Sequence, residues 1–532
     1  MLLIGPEFPR HISPTKGLIV YLLKFNYISV IIGRLPRSMP SLPPPSHRPL
    51  NWPLVWLLVF ILSYLLINWS EFSCYCPRSG DLALLELQIE KAKNFALLSG
   101  PYSRFHFNHP GPIHSYSLAG LGALTAFSGC PASLSQFILN AIFLVWSIFL
   151  LRGLGAKNWQ CGLVLFFLIA LCGLERRGFW HLIWNPAAVV PPMFLFFIAS
   201  AGVSLGRTKY LLPLLFGASF AVQSHLGSLP VAAIVTLGSC FLYARAEKRP
   251  APKFIHFLAL FLVAIITFLP PLYDLIANRA QSNLYRLALF LISAESNKGF
   301  IEALGYVTDF YAAPFRYLRL PYPRLILLLL LLLPAFSRFG KGSFEGALKC
   351  IWLAAVFGSL LAASRIDGRF YGYLMWYQHG LVAIYLLLVA SAIGNLSPRL
   401  FTARLHGVVC LIILIIIPFA TVAKIKTGAK ICRNKDDTVL ALDREALYKI
   451  SFGDRRYWGK AAKYALLLYR QGFEICVQSN WEFLFGRDLG CERFESSTVR
   501  KIRVLRIGGN DPPPGYTKLK NGVYISEPLD TG

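Results

Sequence analysis

The chain has 532 residues, of which 55% are apolar (AVILMFWYC) and 15% are charged, and its mean hydropathy is +0.53. This composition excludes soluble enzymes, disordered chains, collagen and disulfide-stapled secreted domains, because so much apolar surface needs lipid as its solvent. In a membrane protein the net charge of +27 points to basic cytoplasmic loops and anionic lipid rather than to nucleic acid. The eleven cysteines lack the spacing of a zinc or iron–sulfur site, so no cofactor is predicted and nothing supports a divalent metal.

Near-uncharged apolar stretches of membrane-crossing length recur along the chain. A weaker stretch at 17–34 is interrupted by Lys24 and Asn26, and residues 1–50 are predicted to be a basic, proline-rich leader. The twelve stronger stretches are 52–69, 112–128, 132–151, 158–174, 186–203, 210–226, 229–244, 254–271, 322–337, 350–364, 371–394 and 402–423.

The basic residues between these stretches predict how the chain is oriented, because cytoplasmic loops carry an excess of lysine and arginine. They mark the start of the first span and five later loops: Arg34, Arg37, Arg48; Arg152, Lys157; Arg207, Lys209; Arg245, Lys248, Arg249, Lys253; Arg338, Lys341, Lys349; Arg399, Arg404. All of these lie on one side only if 112–128 does not cross. That segment is bounded by prolines and rich in glycine, so we expect it to lie along the outer face. The prediction is a mainly α-helical bundle of about eleven spans, within residues 51–424, with the N-terminus inside and the C-terminus outside.

The tail, 425–532, alternates charged residues with short apolar runs and is predicted to be a small soluble α/β domain on the outer side. A helix is expected around 458–470, closed by Gly472, with strands near 473–477, 499–507 and 522–525. An oxidising compartment would allow one disulfide among three cysteines of the tail, which are Cys432, Cys476 and Cys491.

The first outer loop, 70–131, has the densest unusual sequence. Asp81 stands just before a stretch, 82–98, whose apolar residues have helical spacing, as in a helix lying at the membrane interface. One interpretation makes Asp81 the N-cap of that helix, because aspartate favours this position. The other makes it a general base held at the membrane surface. The sequence leaves both open.

Other polar residues in the outward loops are candidates for binding a substrate: Glu86, Arg104, His109, His225, Asp274, Arg365 and Arg369. Arginine can hold a phosphate in a bidentate manner, although Arg365 and Arg369 could instead pair with Asp367 in a surface turn. His225 either lines a pocket or is a hydrogen-bonded structural histidine between two helices. Asp274 either orients an acceptor or caps the long outer loop, 272–321.

Aromatic residues near the outer ends of spans also have two interpretations. Trp184-Asn185-Pro186 is most simply an interfacial anchor and a helix start. The cluster of Tyr371, Tyr373, Trp376 and Tyr377 is most simply an aromatic belt, and the alternative is a groove for an isoprenoid chain.

Several segments together resemble the GT-C glycosyltransferases, nearest in layout to the protein O-mannosyltransferase-like and aminoarabinose-transferase-like branches. The resemblance covers about residues 52–490, as in an uncharacterised bacterial branch. It rests on the early Asp81, the run GPYSRFHFNHPGPIHSY from Gly100, WNP at 184–186, QSHL at 223–226, PPLYD at 270–274 and WEFLFG at 481–486.

The resemblance implies a hexosyl- or pentosyltransferase of the cell envelope that moves a sugar from a polyprenyl-phosphate donor to a hydroxyl of a glycan, lipid or protein acceptor. Asp81 matches the first-loop aspartate of the superfamily, which implies a role as general base or, as in some branches, as part of a metal site. The second carboxylate of the usual Asp-Glu pair is absent, because Leu82 follows and Glu86 lies five residues on. The implied location is the bacterial inner (plasma) membrane, among membrane lipids, with no nucleic-acid partner.

Two alternatives from other classes remain, namely a transporter or flippase of a lipid-linked glycan and a noncatalytic glycolipid binder. Charged residues in the middle of spans would favour transport, and they are scarce. A nucleotide-binding glycine loop and a protease motif are both absent from the sequence.

Overall fold

A computed structural model describes most of the chain from residue 51 onward. The described residues are 51–74, 78–105, 107–176, 178–246, 251, 253–293, 298–337, 339–340, 342–396, 442–444, 446–452, 454–494, 502–507, 514–518 and 523–526. Outside them lie the predicted leader 1–50, the stretch 17–34, the span 402–423 and Cys432. The basic positions Lys248, Arg249, Arg338, Lys341, Arg399 and Arg404 also lie outside them.

The membrane region consists of α-helices. In chain order they are α1 (Trp52–Ile67), α2 (Asp81–Lys93), α3 (Ile113–Thr125), α4 (Pro131–Leu154), α5 (Asn158–Glu175), α6 (Val190–Ser204), α7 (Leu211–Ser224), α8 (Leu229–Arg245), α9 (Phe254–Asn278), α10 (Asn283–Ser293), α11 (Phe300–Tyr317), α12 (Pro323–Phe336), α13 (Phe344–Ser364) and α14 (Gln378–Leu396). Short helices at Trp69–Ser73 and Asn185–Ala188 precede α2 and α6. This is the mainly helical, multi-pass bundle that the sequence predicts.

Helices occupy ten of the eleven predicted spans, and the eleventh lies outside the described residues. Among the described residues, seven helical segments are long and apolar enough to cross a membrane: Pro131–Leu154, Asn158–Glu175, Asn185–Ser204, Leu226–Arg245, Phe254–Gln281, Phe344–Ser364 and Gln378–Asn395. Helix α3 has 13 residues, so it is about 20 Å long and shorter than a hydrocarbon core of about 30 Å. Since α7 and α12 have only 14 residues each, length does not distinguish α3 from them, and the statement that 112–128 does not cross stays a prediction.

Helix α6 lies at the centre of the bundle. Its side chains from Val190 to Val203 are all buried, and α4, α7, α8, α13 and α14 pack around it. By contrast, α9 exposes one long apolar face, including Phe257, Phe261 and Ile265, as expected of a helix that faces lipid.

The segment 272–321, predicted to be an outer loop, is mostly helical. Pro270 and Pro271 lie inside α9, which continues to Asn278, and α10 and α11 follow. The sequence prediction ended the helix at the prolines because proline removes a backbone hydrogen bond. Helices in membranes tolerate this loss.

The tail contains a five-stranded sheet with one helix, α15 (Trp458–Arg470), packed on it. The strands are β1 (Leu447–Phe452), β2 (Ile475–Val477), β3 (Ile502–Ile507), β4 (Tyr516–Lys518) and β5 (Val523–Ser526), in the order β2-β1-β3-β5-β4. Strand β1 is parallel to β2 and β3, whereas β5 is antiparallel to β3 and β4. The small α/β region and its helix match the prediction, although β1 and β4 were not anticipated. A disulfide joins Cys476 to Cys491.

Helix α2 is buried between the membrane bundle and the tail rather than lying open at the lipid interface as predicted. Ala83, Leu84 and Leu87 pack into the apolar core of the tail, while Leu85 and Ile89 pack against membrane helices. The helix that begins with Asp81 is therefore held from both sides.

Candidate functional site

Asp81 is the first residue of α2, and it does not cap the helix. The N-cap position belongs to Gly80, with no capping hydrogen bond from a side chain, so the N-cap interpretation is wrong. Gly80 has φ of +59°, which other residues adopt only with strain. Its amide donates to the carbonyl of Gly459 at 2.9 Å, and an added Cβ would lie 3.4 Å from the Trp458 ring. The tail therefore holds the turn that presents Asp81.

A short hairpin, 100–109, covers the carboxylate of Asp81. The amide of Gly100 donates to the carbonyl of His109 at 3.0 Å, and the amide of His109 donates to that of Pro101 at 2.7 Å. A side chain at Gly100 would collide with backbone oxygens, because a Cβ there would lie 2.5 Å from the carbonyl oxygen of Gly111. From this hairpin the Tyr102 hydroxyl donates to Oδ1 of Asp81. Burial, and then the neighbouring carboxylate, raise the pKa of Tyr102, so the phenol stays protonated and remains a donor.

A cavity of about 130 Å³ opens beside Asp81. It brings together four of the eight predicted site residues, namely Asp81, Arg104, His109 and His225. The remaining lining residues are Leu84, Leu85, Gln88, Pro101, Tyr102, Ser103, Phe105, Trp184, Asn185, Pro186, Tyr373 and Leu374.

Two buried histidines form part of the cavity wall. The rings of His109 and His225 have centroids 5.4 Å apart. His109 Nδ1 accepts a hydrogen bond from the amide of Leu226 at 3.1 Å, and His225 Nε2 lies 2.8 Å from the carbonyl of Leu374. Burial and the nearby His225 hold the pKa of His109 well below its usual value, so this imidazole is neutral near pH 7.

Arg104 brings positive charge to the cavity. Its guanidinium lies 4.8 Å from the centre of the Phe105 ring and 5.3 Å from that of Tyr371, and it donates to the carbonyl of Asp367 at 2.8 Å. The side chain is exposed, so the guanidinium can meet an anion that enters the cavity from solvent.

Arg365 and Arg369, the other predicted phosphate ligands, do not line the cavity. Both are exposed on the same outer turn as Asp367, and the guanidinium of Arg369 lies 5.8 Å from the Tyr371 ring centre. Among the described residues neither arginine forms an ion pair with Asp367. The alternative interpretation, in which these arginines pair with Asp367 in a surface turn, is therefore not observed.

Glu86 lies away from the cavity, in the interface between α2 and the tail. Its carboxylate is 3.2 Å from Arg78 Nε and 2.9 Å from Arg470 Nη2, with a side chain only 3% exposed. Arg470 also contacts Glu90 at 2.9 Å. In this structure Glu86 connects two parts of the chain.

Asp274 also lies outside the cavity lining. Its carboxylate accepts from the Asn278 side chain and from the amide of Asn283, both at 2.7 Å. The Asn283 side chain in turn donates to the carbonyls of Asn108 and His109, at 2.9 and 3.2 Å. Asp274 thus orders the outer segment, as in the capping interpretation, and indirectly supports the hairpin.

Sequence reasoning did not assign Gln88 or Tyr102 to the site and took Trp184-Asn185-Pro186 for an anchor. A signal for Gln88 was present, because Asp81, Leu84, Leu85 and Gln88 follow the i, i+3, i+4, i+7 spacing of one helical face. Gln88 Nε2 donates to the carbonyl of Gly100 at 3.2 Å. Asn185 donates to the carbonyl of Ser224 at 3.0 Å, fixing the backbone next to His225.

Among the described residues no cluster of three or more His, Cys, Asp or Glu side chains could hold a metal ion.

Comparison with known proteins gives one similar structure. No protein-family model and no curated protein matches the chain. The fold is similar to the crystal structure of ArnT from Cupriavidus metallidurans in the apo state, with a TM-score of 0.44 and 11% sequence identity, over 89% of this chain and 97% of that one.

Proposed function

We propose that the protein is a membrane glycosyltransferase that moves a sugar from a polyprenyl-phosphate donor to a hydroxyl of an acceptor on the outer face of the membrane. Asp81 removes the proton from the attacking hydroxyl. The acceptor oxygen forms a bond to the anomeric carbon, and the bond between that carbon and the phosphate oxygen breaks. The polyprenyl phosphate leaves with the bonding electron pair, and the proton stays on Asp81 until it passes to solvent.

The observation that carries this proposal is the carboxylate of Asp81 on a cavity wall that also holds the cationic Arg104, while the other lining residues are neutral polar, aromatic or apolar. A general base needs a fixed position within hydrogen-bond reach of the reacting hydroxyl. Three contacts favour such a position: Gly80 with Gly459, Tyr102 with Asp81, and the packing of α2 on both faces. These contacts orient the carboxylate before substrate binds.

A lipid phosphate as leaving group is supported by the charge near the cavity. Arg104 offers donors that can stabilise the charge growing on a departing phosphate. Arg369, which like Arg104 approaches the Tyr371 ring, could reach a second phosphate oxygen. A donor carried in the membrane requires no nucleotide-binding loop, and the sequence has none.

The proposal includes a setting and a division of the chain. The bundle, 51–424, lies in the bacterial inner membrane, the tail, 425–532, is outside, and 1–50 forms a cytoplasmic leader. The donor and a glycan, lipid or protein acceptor are its partners, and Asp81 lies beside the outer leaflet, where a polyprenyl-phosphate sugar would be presented.

Replacing Asp81 by asparagine tests the assignment of the base. Asparagine keeps the size of the side chain and can still accept from Tyr102, but it cannot take the proton. We expect Asp81→Asn to insert and bind the donor normally while transfer falls by about 100- to 10,000-fold, the usual effect of removing a general base. The assay follows radiolabelled sugar from undecaprenyl-phosphate donors to acceptors in a membrane extract.

A matched control is Asp309→Asn, because Asp309 is an outer carboxylate that pairs with Arg316 and Arg324 and does not line the cavity. This variant should retain normal transfer. Near-normal turnover by Asp81→Asn would refute Asp81 as the base. Donor binding by the wild-type protein with no transfer to any acceptor would favour the noncatalytic binder, and release of intact donor across the membrane would favour the flippase.

A further inference from the structure

The two cavity histidines reach the site from different parts of the chain. His109 ends the hairpin of the first outer loop, and His225 follows the last residue of α7. Their side chains are 9% and 4% exposed, and neither belongs to a metal-binding cluster of described residues. Burying two imidazoles is costly unless their nitrogens find partners.

Backbone partners determine which nitrogen of each ring carries the proton. A backbone amide can only donate, so His109 Nδ1, which accepts from Leu226, is unprotonated and the proton is on Nε2. A carbonyl can only accept, so His225 Nε2, facing the carbonyl of Leu374, carries the proton and Nδ1 is bare. The two neutral rings therefore differ in what they offer to a ligand.

The remaining nitrogens are one donor and one acceptor. His225 Nδ1 is buried and lacks a hydrogen-bond partner in the described part of the chain. No described residue accepts a hydrogen bond from His109 Nε2, although this nitrogen is not one of the fully buried unpaired atoms. The cavity has a further buried acceptor without a partner, Oε1 of Gln88. Buried polar atoms in native proteins are normally paired, so unpaired ones on a cavity wall indicate a ligand that completes them.

We propose that His109 and His225 together bind one neutral hydroxyl group of the transferred sugar and select it against an amine. A hydroxyl can accept from His109 Nε2–H and donate to His225 Nδ1 at the same time. An ammonium group only donates, so it would oppose the N–H of His109. This inference rests on the proposed function, because it takes the ligand of the cavity to be a lipid-linked sugar.

The spacing of the rings suits a single bridging oxygen. Two nitrogens that share one oxygen at about 2.8 Å lie at most about 5.6 Å apart. The ring centroids are 5.4 Å apart, so nitrogens on the facing edges of the two rings fall within that limit. Gln88 Oε1 would accept from a neighbouring hydroxyl of the same sugar. The ligand class is thus a polyhydroxylated, uncharged sugar rather than an amino sugar.

The first test measures binding of defined analogues. Undecaprenyl phosphates carrying glucose, galactose, mannose or arabinose are titrated onto the full-length protein in detergent. For the tightest binder, each hydroxyl is replaced singly by hydrogen, fluorine or an amine. We expect one position at which every replacement raises Kd by about tenfold or more, since hydrogen bonds to the ligand are lost there.

Substitution of His225, which offers the acceptor nitrogen, should abolish the preference for a hydroxyl at that position of the sugar. In His225→Phe the analogue lacking the hydroxyl at that position should bind as well as the parent sugar, and the other positions should keep their wild-type ratios. His379→Phe, at a histidine equally buried but outside the cavity lining, is the control and should keep the wild-type profile. An unchanged penalty in His225→Phe would overturn the inference.

A second measurement, of the protonation of the two histidine rings, uses the wild-type protein without ligand and so does not depend on a variant that folds. In wild-type protein labelled with ¹⁵N in the histidine rings, His109 and His225 should both be neutral with the proton on Nε2 at pH 7. A proton on Nδ1 of His225, or a charged ring, would overturn the inference, as would failure of all four lipids to bind. Selection of one hydroxyl without sugar transfer would support the histidine site and refute the transferase. Sugar transfer with equal Kd for every analogue would support the transferase and refute the histidine site.

Discussion

Neutralising Glu86 tests whether this residue holds the tail against α2 or binds substrate. Glu86→Gln keeps the size of the side chain and removes the charge shared by Arg78 and Arg470, 3.2 and 2.9 Å away. Removing one partner of a buried ion pair costs about 3 to 5 kcal/mol. Here the cost is smaller, because Arg78 and Arg470 are 18% and 28% exposed and Arg470 keeps Glu90. We expect about 2 to 3 kcal/mol.

This loss should appear as opening of the contact between α2 and α15. Since 1.4 kcal/mol corresponds to tenfold, amide hydrogen exchange in α2 and α15 should accelerate by about 30- to 150-fold. Exchange in α6, deep in the bundle, should not change. Glu90→Gln is the matched control, because Glu90 pairs with Lys93 and Arg470 near the surface, and it should cost at most about 1 kcal/mol. Wild-type exchange combined with a weakened donor Kd in Glu86→Gln would refute this reasoning and return Glu86 to the binding site.

Two further substitutions follow from hydrogen bonds near the site. Tyr102→Phe removes the hydroxyl that orients the Asp81 carboxylate, so kcat for sugar transfer should fall about tenfold with KM within about twofold; an unchanged kcat would show that the bond does not position the base. Burial lowers the pKa of His114 to about 4, although its Nε2 donates to Gln136 at 2.6 Å. The folded protein therefore keeps His114 neutral, and the stability that depends on this neutral ring is complete above pH 6.5. This stability is lost as the pH falls from 6.5 towards 4, and the loss reaches about 3 kcal/mol. Thermal unfolding in detergent should therefore shift to lower temperature across this range in wild type and less in His114→Gln, and equal slopes would contradict the assignment.

The sequence was informative wherever a property depends on neighbouring residues along the chain. Long apolar runs predict helices, because lipid leaves backbone groups no other partners, and helices occupy every described predicted span. The early Asp81 also stood out locally. Local rules failed where packing overrides them: Pro270 and Pro271 continue α9, and the capping preference of aspartate gave way to Gly80.

The choice among the charged candidates could not come from sequence. Glu86, Arg365 and Arg369 looked as suitable as Arg104 and His225, because each is a polar residue in or beside an outward loop. Whether such a residue lines a cavity depends on contacts between segments far apart in the chain. Arg470 lies 384 residues after Glu86 and draws its carboxylate into the interface with the tail, while the hairpin 100–109 carries Arg104 and His109 to the cavity.

The class of the protein, the places of its helices and the small α/β tail could be predicted from sequence alone, since they follow from hydrophobicity and short-range periodicity. Tertiary packing was needed to bury α2 on both faces, to bring Tyr102 to Asp81, and to place His109 and His225 on one cavity wall, with Nδ1 of His109 and Nε2 of His225 held by backbone groups. The physical reason is that a hydrogen bond needs two groups within about 3 Å. In this chain the partners are 21 to 149 residues apart, and only packing brings them together.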